Sequence, residues 1–192
     1  MKDEDEALKL IENLKHNKDG YQFAKLKYTI SKNYNLSPNF IREHMEFLNI
    51  KVIAKYRTLT EDFINELSDL FHPYGYEICE HQVLSEDFIR QNIISIRWDQ
   101  ISRYQALSEG FMREFQDKLD WERVSYAQNL SGGFMRDFQD EVSWDLVSKY
   151  QTLSKLTIEE FWEMLDLNII KSRNIMDNDF LEPLIIMKKL TE

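Results

Sequence analysis

Residues 84–106 read LSEDFIRQNIISIRWDQISRYQA, residues 107–129 LSEGFMREFQDKLDWERVSYAQN and residues 130–152 LSGGFMRDFQDEVSWDLVSKYQT. Aligned on their first leucine, the three lines match in kind along their length. Worn copies flank them. One begins at Leu36 (LSPNFIREHMEFLNIKVIAKYRT), one at Leu59 (LTEDFINELSDLFHPYGYEICEHQV, two residues longer) and one at Leu153 (LSKLTIEEFWEMLDLNIIKSRNI). A last start at Met176 keeps only Asp177, Phe180 and Leu181. Four of the five leucine steps are 23 residues and one is 25. Such a period marks a tandem array of supersecondary units, none of which can bury its apolar face alone.

Each start is followed by a residue whose side-chain oxygen can cap a helix: Ser37, Thr60, Ser85, Ser108, Ser131, Ser154 and Asp177. Acids such as Glu61, Asp62, Glu86 and Asp87 come next and suit the positive end of the dipole. Phe111, Met112, Phe115 and Leu119 then fall on one face and predict a first helix of about three turns. A second cap follows 13 residues after the start, at Asn49, Asp120, Ser143 and Asp166, with Arg97 as the exception. Behind it, Trp98, Trp121 and Trp144 with Ile101, Val124 and Val147 read as the core stripe of a second, shorter helix. The next slot stays small, at Ala54, Cys79, Ser102, Ser125 and Ser148, which predicts close approach of a neighbouring helix; Lys171 ends the rule.

The expected fold is all-α: an α-solenoid of about six to seven stacked two-helix repeats with terminal capping helices. We expect one helical repeat domain over residues 1–192, with a cap and a degenerate unit in 1–35, repeats in 36–175 and a cap in 176–192. Asp5 to Leu14 predict an amphipathic capping helix ended near Gly20, and Phe180 to Leu190 predict the closing helix. Pro183 places the start of that last helix near Glu182, because proline fits only a first helical turn.

Composition narrows the function. Charged residues at 30% beside 43% hydrophobics describe a folded chain, and five Gly and three Pro argue against an all-β fold with many tight turns. A net charge of −10 disfavours general binding to nucleic acid or to an anionic membrane. Cys79 is the sole cysteine, so no internal disulfide is possible and a reducing, cytoplasmic setting is expected. The opening MKDEDEALKL is acidic and lacks a long apolar run, so no signal peptide is expected; no stretch has the ~18 apolar residues of a membrane span.

The consensus L-S-E-x-F-[IM]-R-x-F-x-D-x-[LV]-x-W-x-x-[IV]-S-x-Y-Q, carried closely by residues 84–152 and loosely by 36–83 and 153–181, resembles a short tandem repeat of phage, prophage and giant-virus proteins. The resemblance implies a helical array of viral or mobile-element origin. It brings no catalytic residue to this chain.

Candidate binding positions are the ladders that stacking would create. Arg42, Arg90, Arg113 and Arg136 share one slot. They form either a row of forks for carboxylates or phosphates, or a row of salt bridges to neighbouring acids. Gln105, Gln128 and Gln151, joined by Tyr56, Tyr104 and Tyr150 in the repeat slot one earlier, form either a reading surface or an amide ladder that bonds the inter-repeat turns. Tyr74 lies in the insert His72-Pro73-Tyr74-Gly75-Tyr76, which predicts a surface loop. No nucleophile–base pair, special carboxylate pair, phosphate loop or zinc spacing is present, so no cofactor and no metal are expected, and an enzyme is disfavoured. The leading expectation is a non-enzymatic module that binds a protein partner, such as a host protein that it inhibits; the alternative is an acidic nucleic-acid mimic that blocks a defence nuclease.

Overall fold

The computed structural model of the chain describes residues 3–16, 20–66 and 68–191, with the side chains of residues 16 and 68–74 outside that description. Among the described residues all regular structure is helical. The chain is an all-α helical-repeat protein, and its contacts divide it into two compact units, Met1–Arg97 and Trp98–Glu192.

The first unit runs α1 (Glu4–His16), α2 (Gly20–Asn33), α3 (Pro38–His44), a 3-10 turn (Met45–Phe47), α4 (Ile50–Tyr56), α5 (Glu61–Glu66), α6 (Ser68–His81) and α7 (Glu86–Gln91). α1 packs on α2, α2 on α4 and α4 on α6. Ile11, Leu14, Ile30, Phe40, Ile41, Leu48, Ile53 and Phe63 form its core. The second unit runs α8 (Trp98–Tyr104), α9 (Glu109–Glu114), α10 (Trp121–Ala127), α11 (Gly132–Asp137), α12 (Trp144–Tyr150), α13 (Lys155–Phe161), α14 (Leu167–Ser172) and α15 (Asn178–Thr191). Here α8, α10, α12, α14 and α15 stack in sequence. Phe134, Met135, Val147, Ile158, Leu165, Ile170 and Leu181 are buried between them. Each unit is thus a stretch of α-solenoid, in which a helix pair shields its neighbour's apolar side.

The caps act as the spacing predicts. The hydroxyls of Ser37, Ser85, Ser108, Ser131 and Ser154 each accept the N–H three residues on, at 3.1–3.2 Å. Asn49, Asp120 and Asp166 cap the second helices in the same way. Ser143 makes no side-chain cap bond. Trp98, Trp121 and Trp144 are half-buried and occupy like environments, against Phe115, Phe138 and Phe161 of the following repeat at ring separations of 5.2, 4.9 and 4.9 Å. The indole N–H groups of Trp121 and Trp144 donate to the carbonyls of Gln116 and Gln139.

Four expectations need correction. The first helix of a repeat is shorter than three turns: α9 and α11 have 6 residues each. Phe115 and Phe138 leave helical geometry because the chain must return within a few residues to the next cap, and a continuing helix would carry it straight on. Residues 115–119 still turn Leu119 into the core. The insert is helix rather than loop: in this repeat the irregular connection is itself helical and extends α6 to 14 residues. Gly20 opens α2 rather than merely following α1. α15 begins at Asn178 and carries Pro183 inside it. Pro183 and Asp179, whose carbonyl loses its helical partner, are both exposed, while Leu181 and Ile185 are buried on the other face. Lys188 ties the helix down by donating to the carbonyls of Glu163 and Leu165.

Candidate functional site

A repeat slot can serve a partner only if the fold does not use it internally. The glutamines are used. Gln128 is 5% exposed; its amide N–H₂ donates to the carbonyls of Ser102 (2.9 Å) and Gln105 (2.7 Å), and its carbonyl accepts from Leu107 N–H (3.0 Å). Gln151 repeats this one unit later, on Ser125, Gln128 and Leu130. Gln82 does the same on Ala54, Arg57 and Leu59. Gln105 is equally buried, and its carbonyl receives the Gln128 amide. Gln105, Gln128 and Gln151 are therefore not a reading surface; the ladder bonds the inter-repeat turns, because those turns bury backbone groups that need partners. At the C-terminal end the slot falls on Asn174, which turns away with φ 52, and Arg173 takes over, donating to Ser148 and Gln151 carbonyls.

The small slot has a second task that its size alone did not reveal. Ser102, Ser125 and Ser148 donate to the carbonyls of Trp98, Trp121 and Trp144 and accept the N–H of Asp120, Ser143 and Asp166 in the next repeat. Ser31 accepts Asn49 N–H in the same manner, which identifies α2 as the second helix of a repeat preceding Leu36. The recurrence of serine, rather than of glycine or alanine alone, carries that signal.

The arginines are spent as well. Arg42 pairs with Glu66 (2.6 Å), Arg113 with Asp137 (2.7 Å) and Arg136 with Glu160, each acid lying 24 residues on, in the next repeat. Arg90 reaches Asp87 at 3.0 Å on its own helix. Hydrogen bonding and charge from Glu160 raise the Arg136 guanidinium above its ordinary range, and the Arg136 hydrogen bond holds Glu160 below the usual carboxylate range. Arg42 also lies over the Phe63 ring and Arg113 over Phe134, at 5.1 and 5.0 Å. Open to water, each pair contributes little to stability. The acids used are many: Glu109 accepts Ser131 N–H, and Glu61 accepts the backbone N–H and hydroxyl of Ser85. For Arg42, Arg90, Arg113 and Arg136 the salt-bridge reading is the one realised.

The tyrosines differ. In the second unit Tyr126 and Tyr150 are exposed and meet edge to face at 4.7 Å, and Arg103 lies over Tyr104 (4.9 Å) and Tyr126 (5.8 Å). In the first unit Tyr28 and Tyr56 are exposed, and Lys32 sits over both rings, at 5.6 and 4.7 Å, with Lys55 also over Tyr56. Hydrogen bonding to Tyr56, then to Lys32, holds the Tyr28 phenol below its ordinary range, and the bond to Tyr28 raises Lys32. A cleft of about 430 Å³ opens beside this group, with Val52, Tyr76 and Glu80 on its walls. Each unit thus carries a tyrosine–cation stripe on its second helices. Tyr56, Tyr104 and Tyr150 were legible as members; Tyr28, Lys32, Lys55, Arg103 and Tyr126 were not. The available signal was the slot before the tyrosine, which holds Lys55, Arg103 and Lys149, with Tyr126 moved into it. Tyr74 lies on α6, and its side chain is outside the described residues.

Charge is unevenly placed. Residues 20–57 hold seven cations (Lys25, Lys27, Lys32, Arg42, Lys51, Lys55, Arg57) against two carboxylates (Glu43, Glu46), inside a chain of net charge −10. Lys27 is drawn inward, donating to the Glu46 carbonyl at 2.7 Å, and burial lowers it below its ordinary range. Among the described residues no three His, Cys, Asp or Glu side chains gather where they could hold a metal ion, and Cys79 is buried. Among them, too, no helix is long and apolar enough to cross a membrane.

Comparison with protein-family models, with curated proteins and with solved structures gives no match.

Proposed function

We propose that the chain is a non-enzymatic interaction module that grips another protein through the tyrosine–cation stripes of its second helices. One observation carries the reading. The glutamine, serine and arginine slots are consumed inside the array, whereas Tyr56, Tyr126 and Tyr150 are held out at 41–51% exposure. Tyrosine with arginine is the composition of contact hot spots, since a rigid ring buries much area at little entropic cost. The resemblance of the repeat to phage and giant-virus proteins supports a host protein in the host cytoplasm as the target, with inhibition as the effect. The nucleic-acid mimic is the weaker reading, because carboxylates such as Glu66, Asp137 and Glu160 are neutralised by the array's own arginines.

The test is capture from a lysate of the cells in which the chain acts, using the native protein and a Tyr56→Ala/Tyr150→Ala variant. Both rings are exposed, so the melting curve should stay within a few degrees of native. The native protein should retain a partner that the variant loses by about tenfold or more. Capture that ignores the substitutions, or no capture at all, removes the reading.

A further inference from the structure

Lys32 and Lys55 come from adjacent second helices, α2 and α4, and share one aromatic ring, that of Tyr56. Two like charges over one ring repel unless an anion lies near. The sequence has a surplus of carboxylates, 34 acids against 24 Lys and Arg. None is spent here: α2 (GYQFAKLKYTISKN) and α4 (IKVIAKY) contain no acid. Lys51, the other cation of α4, is paired with Glu77 of α6. Among the described residues neither Lys32 nor Lys55 has a carboxylate within ion-pairing distance, while Arg42, Arg113, Arg136 and Lys171 all have one. The phenol hydroxyls of Tyr28 and Tyr56 stand beside the two ammonium groups, and Lys32 donates to Tyr28 Oη at 3.4 Å.

We propose that this face of the first unit docks an acidic segment of another protein. Carboxylates of that segment sit between Lys32 and Lys55, and an apolar side chain of it enters the adjoining cleft against Val52 and Tyr76. The assignment rests on the interaction reading above and names its partner's chemistry. A carboxylate peptide fits better than a nucleic-acid strand for three reasons. Of the lysines on this face Lys51 is already paired with Glu77, and Glu77 and Glu80 border the patch on the α6 side, where a continuous run of phosphates would be repelled. Lysine ammonium groups already cover the Tyr28 and Tyr56 rings, so these are not open platforms for bases. A peptide, by contrast, intersperses carboxylates with neutral and apolar residues and can match both the patch and the cleft.

Fluorescence anisotropy on the full chain decides. The probes are a fluorescein-labelled peptide of alternating glutamate and leucine and a labelled oligothymidylate of equal formal charge, at low ionic strength. The peptide should bind, and Lys32→Gln/Lys55→Gln should weaken it by about tenfold or more, since both charges face the ligand. Lys9→Gln/Lys118→Gln, which removes the same charge elsewhere, should leave the affinity unchanged. No peptide binding, equal binding by both variants, or tighter binding of the oligothymidylate overturns the proposal. A dimer seen by sedimentation that Lys32→Gln/Lys55→Gln dissolves also overturns it, in favour of a second copy of the chain. If the peptide fails while tyrosine-dependent capture persists, the acidic partner falls and the interaction module stands.

Discussion

A glutamine amide offers two donors and one acceptor on a short stem, and Gln128 places all three on backbone groups of the turn before it. Aspartate or asparagine would fall a methylene short, and leucine would fill the space and satisfy nothing. A buried amide of this kind matters less for the bonds it makes than for the groups it would abandon. Gln128→Leu leaves Leu107 N–H and the carbonyls of Ser102 and Gln105 unpaired, at about 1–3 kcal/mol for each group that water cannot reach. We expect a total loss of about 3 kcal/mol or more, read as a lower urea midpoint with an unchanged slope. Truncating Tyr150, exposed and without such duties, should cost less than about 1 kcal/mol. Equal losses at the two sites would mean that the glutamine is not what secures the turn. The same contrast explains what sequence could say about these residues. A ladder of Gln or Arg is visible from spacing, but whether it faces a neighbour or a ligand depends on burial, which spacing does not encode. Tyr126 escaped notice because it stands one slot before Tyr104 and Tyr150 yet still meets the latter edge to face.

Helices here are short, so their ends carry much of their stability, and α11 shows how. Gly132 and Gly133 stand where α7 has Glu86 and Asp87. Glycine weakens a helical turn by about 0.5–1 kcal/mol relative to alanine. A methyl group at Gly133 would meet only the Ser131 hydroxyl, at 3.8 Å, whereas one at Gly132 would meet Thr157 Oγ1 at 3.0 Å. That hydroxyl is also engaged with Ser154 Oγ at 2.8 Å, so it does not swing away freely. Gly133→Ala should therefore raise the melting temperature by about 1–4 °C. Gly132→Ala should raise it less or lower it, and a larger gain at Gly132 would contradict the packing described. Element order and most helix starts were legible because caps and apolar stripes recur in register. Helix length was not. The stripe Phe111, Met112, Phe115, Leu119 continues past the point where Phe115 leaves the helix, since a tight turn can bury the same side as a helix does. The insert from His72 to Tyr76 reads as a surface loop, yet it lies within α6, where stacking of α6 on α4 outweighs the local preference of Pro73 and Gly75.

At the scale of the molecule, what repeats is a set of reciprocal bonds rather than a sequence, and that has a consequence for deletion. In the second unit α8 gives the next repeat, and α10 the one after, a serine hydroxyl for the N–H at its second cap, two carbonyls for its glutamine and a tryptophan for its phenylalanines. Removal of residues 107–129 joins Ala106 to Leu130 and puts every partner back in register. Ser102 Oγ then meets Ser143 N–H, Gln151 meets the carbonyls of Ser102 and Gln105, and Trp98 meets Phe138. Removal of residues 107–119 alone instead brings two second helices together without the intervening first helix, so Trp98 loses Phe111 and Phe115. Since one helix pair cannot bury its own face, the shorter deletion should do the greater harm. Circular dichroism and urea unfolding on both chains measure it. We expect the chain lacking 23 residues to unfold cooperatively with native-like helicity per residue, and the chain lacking the half repeat to lose its sharp transition. Comparable damage from the two would show that the repeats are not interchangeable links, and the register of bonds traced from Ser102 to Arg173 would then not be what builds the second unit.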